Sequence, residues 1–169
     1  PEWDLFIKEI RKEMTLKAGQ RCTGIRRIFV PENKMEEVWK AIGSSLAQTV
    51  IGNQKNEKVR MGSLAGETQR QEVREQVQKL LASSQIVYGS LDSVEVVDAD
   101  ARSGAFISPV LLMNDQPHTS REPHEVEAFG PVSTIMPYRN MDDAIALSKL
   151  GKGSLVTTIV TADHREARQ

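Results

Sequence analysis

The sequence has few of the residues that build disulfides and metal sites. Cys22 is the only cysteine among 169 residues, which excludes an intramolecular disulfide and leads us to expect a reducing, cytoplasmic compartment. The three histidines are widely scattered, and no second cysteine offers metal-ligand spacing. We therefore predict no metal site.

Charge and apolar runs narrow the classes of partner. The formal net charge is -1 at pH 7, so there is no electrostatic case for binding nucleic acid or a membrane surface. No apolar run approaches the length of a membrane span. The chain length and a hydrophobic content of 39% instead predict one globular domain with a sizeable core.

The order of periodic segments predicts an α/β fold. Apolar residues at helical spacing predict helices, and short β-branched runs predict strands. We expect helices at 3–16, 35–46, 67–82 and 141–150 and from 163, with strands at 27–30, 86–88, 106–113, 132–136 and 155–160. Residues 52–66, 90–104 and 114–125 are expected to be loops. Helices between short buried strands predict a three-layer structure, with a largely parallel sheet and helices on both faces.

The single cysteine lies between a predicted helix and a predicted strand, in the segment Gly19–Gly24. Nearby positive charge favours the thiolate, which is the nucleophilic form of the side chain. Four basic residues surround it in the sequence: Lys17, Arg21, Arg26 and Arg27. The alternative is that a free cysteine is a small buried hydrophobic residue, and composition alone favours that alternative.

Two segments, in order along the chain, resemble the aldehyde dehydrogenase superfamily. Residues 19–31, which begin Gly-Gln-Arg-Cys-Thr-Gly, resemble its active-site cysteine segment. Residues 127–132, Glu-Ala-Phe-Gly-Pro-Val, resemble its Glu-x-Phe-Gly-Pro-Val motif. Weaker similarities lie between them at 60–64 and 104–109, so the resemblance spans nearly the whole chain.

The resemblance implies roles for three residues. Cys22 would attack an aldehyde carbonyl to form a thiohemiacetal, which becomes a thioester once hydride has passed to NADP or NAD. Its backbone N–H would donate to the developing oxyanion. Glu127 would bind the hydroxyls of the nicotinamide ribose, and Phe129 would pack against the nicotinamide. Without the motif, a solvated carboxylate and a core aromatic would be the expected roles of these two side chains.

Further residues resemble one subgroup of the superfamily. Segments 6–20 and 152–163 resemble the aldehyde dehydrogenase part of the bifunctional ring-opening enzymes of aerobic phenylacetate degradation. That resemblance implies a CoA-linked semialdehyde substrate and NADP. It also implies that residues 1–169 are a partial catalytic domain, without the cofactor-binding domain, the general-base glutamate or the fused hydrolase domain. The parent protein is expected to form a homo-oligomer.

Three alternatives stay open at this point. A CoA-acylating aldehyde dehydrogenase would resolve the thioester with CoA instead of water. A semialdehyde dehydrogenase of benzoyl-CoA degradation has similar segments and a related substrate. A non-catalytic scaffold domain would carry Cys22 as an inert thiol. The residues do not decide the exact aldehyde, nor between NADP and NAD, and we expect the isolated partial domain to be inactive.

Overall fold

The computed structural model describes residues 2–163 and 165–168. Within that part of the chain it contains five α-helices and four β-strands. The helices are α1 (Trp3–Thr15), α2 (Met35–Leu46), α3 (Glu67–Leu80), α4 (Glu122–Glu125) and α5 (Met141–Lys149). The strands are β1 (Arg27–Pro31), β2 (Gln85–Tyr88), β3 (Val110–Met113) and β4 (Val132–Tyr138).

The four strands form one sheet in the order β1-β4-β3-β2. Both β1 and β3 run parallel to β4, whereas β2 pairs antiparallel with β3 at one edge. The sheet is therefore largely parallel, as predicted. Because Arg27 at the start of β1 pairs with Thr134, the loop that carries Cys22 leads into the sheet beside the first half of β4.

An apolar cluster on each face of the sheet makes the structure three-layered. On one face, Ile10 of α1 and Ile42 of α2 pack with Leu111 of β3. On the other face, Val77 of α3 packs with Leu112 of the same strand. Neighbouring strand residues enter opposite clusters because side chains alternate between the two faces of a sheet. The prediction of helices on both faces is confirmed.

Two strand predictions need correction. The strand predicted at 106–113 begins only at Val110, because Pro109 has no backbone N–H to donate to a neighbouring strand. The strand predicted at 155–160 is wrong, since these residues carry no strand and Leu155 is 67% exposed. Their β-branched composition shows only that they suit a paired, half-buried surface. No strand of the described sheet pairs with them.

The remaining differences concern short helices. The segment 114–125, predicted as a loop, ends in the single turn of α4. The helix predicted from 163 is a 3-10 turn at Glu166–Arg168, and His164 lies outside the described residues. No helix in the described part of the chain is long and apolar enough to cross a membrane.

Candidate active site around Cys22

The backbone before the cysteine makes an unusual left-handed turn. Lys17, Ala18 and Gly19 have φ values of 53°, 51° and 71° in succession. This region costs a non-glycine residue about 1–2 kcal/mol, so the surrounding structure must hold the turn. Ala18 does part of this because it is buried in the same apolar cluster as α3.

Gly19 brings the two motifs of the sequence into direct contact. A Cβ at this position would overlap the carbonyl oxygen of Gly130 and would lie 2.7 Å from the backbone nitrogen of Pro131. Only glycine permits this approach in this conformation. The cysteine segment and the Glu-x-Phe-Gly-Pro-Val motif, separated by more than a hundred positions, therefore pack backbone against backbone.

Gln20 and the following turn present Cys22 to solvent. The side chain of Gln20 accepts a hydrogen bond from the backbone N–H of Ala65 at 2.9 Å and donates to the carbonyl of Lys17 at 3.1 Å. A turn then forms in which the N–H of Gly24 donates to the carbonyl of Arg21 at 3.0 Å. Cys22 lies at this turn and is exposed. The alternative of a buried, inert cysteine does not fit this position.

Cys22 lines a groove of about 750 Å³ between the cysteine turn, α1 and the segment 153–161. On one wall Arg21 donates to the Glu13 carboxylate at 2.5 Å, and Nε of Arg21 is buried without a hydrogen-bond partner among the described residues. The lining also includes Leu155 and Val156, which are both exposed. The groove is large enough for a small acyl chain beside the sulfur.

The structure weakens the argument from local charge. Of the basic residues around the cysteine, three donate to groups other than the thiol. Arg21 pairs with Glu13, Arg26 donates to the hydroxyl of Ser154, and Arg27 turns towards α4 and α5. The role of Cys22 as a nucleophile is therefore supported more by its access to the groove and by the contact of its segment with the second motif than by the surrounding charges.

Glu127 and Phe129 both lie on the surface beside that contact. Glu127 is exposed, and Phe129 is 40% exposed although it is a large apolar side chain. Between them Ala128 is buried. Phe129 also has a φ of 48°, and its carbonyl accepts a hydrogen bond from Gln69 of α3 at 3.2 Å. Strained backbone of this kind concentrates at ligand sites.

Behind this motif lies a polar contact that the sequence did not reveal. Nη1 of Arg27 is 3.0 Å from Nδ1 of His124, and Nε2 of that ring is 2.7 Å from the carbonyl oxygen of Pro117. Arg27 also donates to the carbonyls of Leu147 and Ser148, both at 2.9 Å. Arg27 and His124 are 97 positions apart, and nothing in the local sequence of either residue signals the pairing.

A second histidine pairs at the start of α5. Nε2 of His118 is 2.8 Å from the carboxylate of Asp143, which is buried and also accepts from the backbone and guanidinium of Arg139. Hydrogen bonds from Arg139 hold the pKa of Asp143 well below its usual range, against the opposing effect of burial. No partner of His118 or His124 could be predicted from the sequence, and the structure shows partners for both. Among the described residues no group of three or more potential ligands could hold a metal ion.

The arrangement combines an accessible thiol with a strained, partly apolar surface patch. The thiol can act as a nucleophile, while the exposed carboxylate of Glu127 can accept hydrogen bonds from hydroxyl groups. The exposed ring of Phe129 offers a face for a planar group. Such a pairing suits covalent chemistry next to a bound planar cofactor.

Comparisons with known proteins identify the family. The model of the aldehyde dehydrogenase family matches residues 2–169. A 3,4-dehydroadipyl-CoA semialdehyde dehydrogenase of Aromatoleum evansii is 42% identical over 96% of this chain and 32% of its own length. Protein MaoC of Klebsiella aerogenes is 42% identical over 64% of this chain and 31% of its own length. The chain thus spans about a third of the length of these relatives.

Solved structures show the same fold. A betaine aldehyde dehydrogenase of Staphylococcus aureus, crystallised with NAD+, matches 88% of this chain and 30% of its own chain with a TM-score of 0.78 and 21% identity. An aldehyde dehydrogenase of Pseudomonas syringae, in complex with NAD+ and octanal, matches 86% of this chain and 30% of its own chain with a TM-score of 0.72 and 22% identity. The match of the family model over residues 2–169 shows that the chain belongs to the aldehyde dehydrogenase family.

Proposed function

We propose that these residues carry the nucleophile and part of the coenzyme site of an NAD(P)-dependent aldehyde dehydrogenase, with Cys22 as the nucleophile. The observation that carries this proposal is the contact of Gly19 with Gly130. It places the exposed thiol turn against the motif that holds Glu127 and Phe129. A reactive sulfur and a coenzyme must lie side by side if hydride is to pass between substrate and coenzyme.

The residues present fit a nicotinamide coenzyme. Glu127 would accept hydrogen bonds from the hydroxyls of the nicotinamide ribose. Phe129, which is exposed and held in a strained conformation, would pack against the nicotinamide ring. Both residues are exposed and lie two positions apart, which supports contact with one ligand. The family resemblance implies NADP or NAD, and the described residues do not distinguish between them.

The mechanism begins at the sulfur of Cys22. As a thiolate it attacks the aldehyde carbon, a C–S bond forms, and the carbonyl oxygen becomes an oxyanion that the backbone N–H of Cys22 stabilises. The coenzyme, when bound, accepts the hydride that leaves this tetrahedral carbon. The acyl group then remains on Cys22 as a thioester. Water cleaves the thioester to the carboxylic acid and returns the thiol.

We propose a CoA-linked semialdehyde as the substrate, within aerobic phenylacetate degradation. The relative from Aromatoleum evansii, a CoA-linked semialdehyde dehydrogenase by name, supports the substrate class. The groove of about 750 Å³ beside Cys22 would hold the acyl chain. A substrate of the benzoyl-CoA pathway would have the same chemistry, and assay with both types of semialdehyde decides between them.

Residues 1–169 would then be part of a catalytic domain. In this proposal the general base and most of the coenzyme pocket come from residues outside these positions. A homo-oligomeric parent protein and a fused hydrolase domain stay predictions. We expect the 169-residue chain alone to show negligible turnover, and measurable NADP-dependent oxidation by it would contradict the proposed division of the site.

The test uses the complete reading frame that contains these residues. Appearance of reduced coenzyme is followed with a CoA-linked semialdehyde and NADP+ or NAD+. Cys22→Ser should abolish turnover, and Glu127→Gln should raise the KM for coenzyme about tenfold through loss of a charge-assisted hydrogen bond. Glu125→Gln is the matched control, because this carboxylate is also exposed and pairs with Arg121 on the surface.

Three outcomes would contradict the proposal or change it. Full activity of Cys22→Ser would remove Cys22 as the nucleophile and favour a scaffold role for these residues. Equal effects of Glu127→Gln and Glu125→Gln would remove Glu127 from the coenzyme site. Dependence of product formation on free CoA, with an acyl-CoA product, would replace hydrolysis by the CoA-acylating reaction.

A further inference from the structure

The segment that presents Glu127 and Phe129 is held at both of its ends. Downstream, Gly130 packs against Gly19 in the cysteine segment. Upstream, His124 is only 3% exposed and lies three residues before Glu127. Between these points the side chains alternate between buried and exposed, so the path of the backbone depends on where its two ends are fixed.

His124 is fixed by two hydrogen bonds that require one form of its ring. Nδ1 faces the guanidinium of Arg27 at 3.0 Å, and a guanidinium can only donate. Nδ1 must therefore accept, and the single proton of the neutral ring lies on Nε2, which donates to the carbonyl of Pro117 at 2.7 Å. Burial lowers the pKa of His124, and the positive charge of Arg27 acts in the same direction.

Arg27 is itself fixed by groups from another element. It donates to the carbonyls of Leu147 and Ser148 at the end of α5, both at 2.9 Å. Those carbonyls also accept from the backbone N–H groups of Leu150 and Gly151, at 3.1 and 3.2 Å, and their place at the C-terminal end of the helix favours a cation. Gly151 leaves the space that the guanidinium occupies, because a Cβ there would overlap Arg27. Burial, with the nearby charge of Arg26, lowers the pKa of Arg27 to about 10, so it stays charged at neutral pH.

We propose that Arg27 is a positioning residue for residues 127–132, which we call the coenzyme motif. Through its hydrogen bond with neutral His124, Arg27 fixes the segment that leads to Glu127 relative to β1, the strand that follows Cys22. This inference rests on the proposed role of Glu127 and Phe129 in binding coenzyme. It adds that one guanidinium sets the distance between β1, the strand that follows Cys22, and the segment that contains Glu127 and Phe129.

Acid should break the contact between Arg27 and His124. A second proton on His124 would go to Nδ1, which then faces the guanidinium donor to donor, and the contact would break. In the described structure the charged or titratable groups that face His124 are Arg27 from β1, His118 from the preceding loop and Glu125 of its own helix. Lys152 reaches Glu125 from beyond α5 at 3.9 Å. Glu125 favours protonation of His124, whereas Arg27 and His118 oppose it.

The test measures the Kd of NADP+, or of NAD+ if it binds more tightly, in the complete reading frame. Arg27→Lys keeps the charge but loses the forked donors, and it should weaken coenzyme binding about tenfold, the effect of one charge-assisted hydrogen bond. Gly151→Ala should weaken binding in the same way, since it displaces the guanidinium without changing any charge. Arg26→Lys is the matched control, because Arg26 also reaches Ser154 but does not contact His124.

The pH profile separates positioning from a general loss of stability. In the wild type, coenzyme affinity should fall where the pH becomes low enough to protonate His124 in the folded protein. Burial lowers the pKa of His124, so this fall should lie below the ordinary histidine value of about 6.5. His124→Asn keeps an acceptor for Arg27 and removes the titration, so its coenzyme affinity should change less over the same range. Far-UV circular dichroism at each pH checks that every variant remains folded.

The outcomes distinguish the two proposals. If the wild type binds no coenzyme, or if Glu127→Gln binds it as tightly as the wild type, the proposed function fails. If Glu127→Gln weakens binding but Arg27→Lys matches Arg26→Lys, only the role of Arg27 is refuted. A pH profile that is identical in wild type and His124→Asn would also refute it.

Discussion

Replacing Gly19 by alanine tests the contact on which the candidate site depends. The glycine has a φ of 71°, where an alanine costs about 1–2 kcal/mol. Its new Cβ would also overlap the carbonyl of Gly130 and lie 2.7 Å from the nitrogen of Pro131. Because both neighbours are backbone atoms, the two segments must move apart, and such overpacking costs about 1–3 kcal/mol.

The two costs together predict that Gly19→Ala lowers the free energy of unfolding by about 2–5 kcal/mol. Urea denaturation followed by far-UV circular dichroism measures this change. Gly153→Ala is the matched control, because Gly153 has a φ of 81° but no atom within 4 Å of the added Cβ. It therefore reports the backbone cost alone, about 1–2 kcal/mol.

The comparison between these two variants shows whether Gly19 contacts Gly130. The contact between the motifs predicts that Gly19→Ala is clearly more destabilising than Gly153→Ala. Equal losses of free energy of unfolding would mean that Gly19 does not touch Gly130. The contact that joins the segment of Cys22 to that of Glu127 would then be refuted. A change in the reactivity of Cys22 towards iodoacetamide in Gly19→Ala, absent in Gly153→Ala, would show that the contact also shapes the cysteine turn.

Two further predictions concern stability. The side chain of Asn140 accepts a hydrogen bond from the N–H of Asp143 and caps α5, so Asn140→Ala should lower the free energy of unfolding by about 1 kcal/mol, and an unchanged urea midpoint would contradict the cap. Acid should destabilise the chain in two ranges. Burial lowers the pKa of His124. Its contribution to the free energy of unfolding is therefore lost as the pH falls below the histidine pKa of the unfolded chain, about 6.5. Hydrogen bonds from Arg139 lower the pKa of Asp143. The contribution of Asp143 to the free energy of unfolding is therefore complete above about pH 4 and is lost as the pH falls further. Urea midpoints measured over roughly pH 7.5 to pH 3 cover both ranges. They should fall less in His124→Asn over the upper range and less in Asp143→Asn over the lower range. Profiles parallel to that of the wild type would refute these assignments.

The local patterns of the sequence predicted most of the fold. The apolar stripe from Trp3 to Met14 predicted a helix at 3–16, and the structure has α1 at Trp3–Thr15. The strand predicted at 106–113 is shortened to β3 at Val110–Met113, because Pro109 has no backbone N–H to donate. The segment 155–160 shows the limit of such patterns, because a β-branched run forms a strand only where a partner strand pairs with it.

The candidate site was predicted only in part because its contacts join distant positions. Gly19 begins the cysteine segment in the sequence, but its approach to Gly130 depends on two chain segments meeting in space. The pairing of Arg27 with His124 likewise leaves no periodic signal. The resemblance to a family named Cys22, Glu127 and Phe129, whereas the structure supplied the contacts that hold their segments together.

The most direct test of the account is to trap the acyl group on Cys22. The complete reading frame is mixed with a CoA-linked semialdehyde and NADP+, quenched in acid during turnover, digested and examined by mass spectrometry. The account predicts an acyl mass increase on the peptide that contains Cys22, dependent on coenzyme and absent in Cys22→Ser. Turnover without that adduct, or turnover that persists in Cys22→Ser, would contradict it.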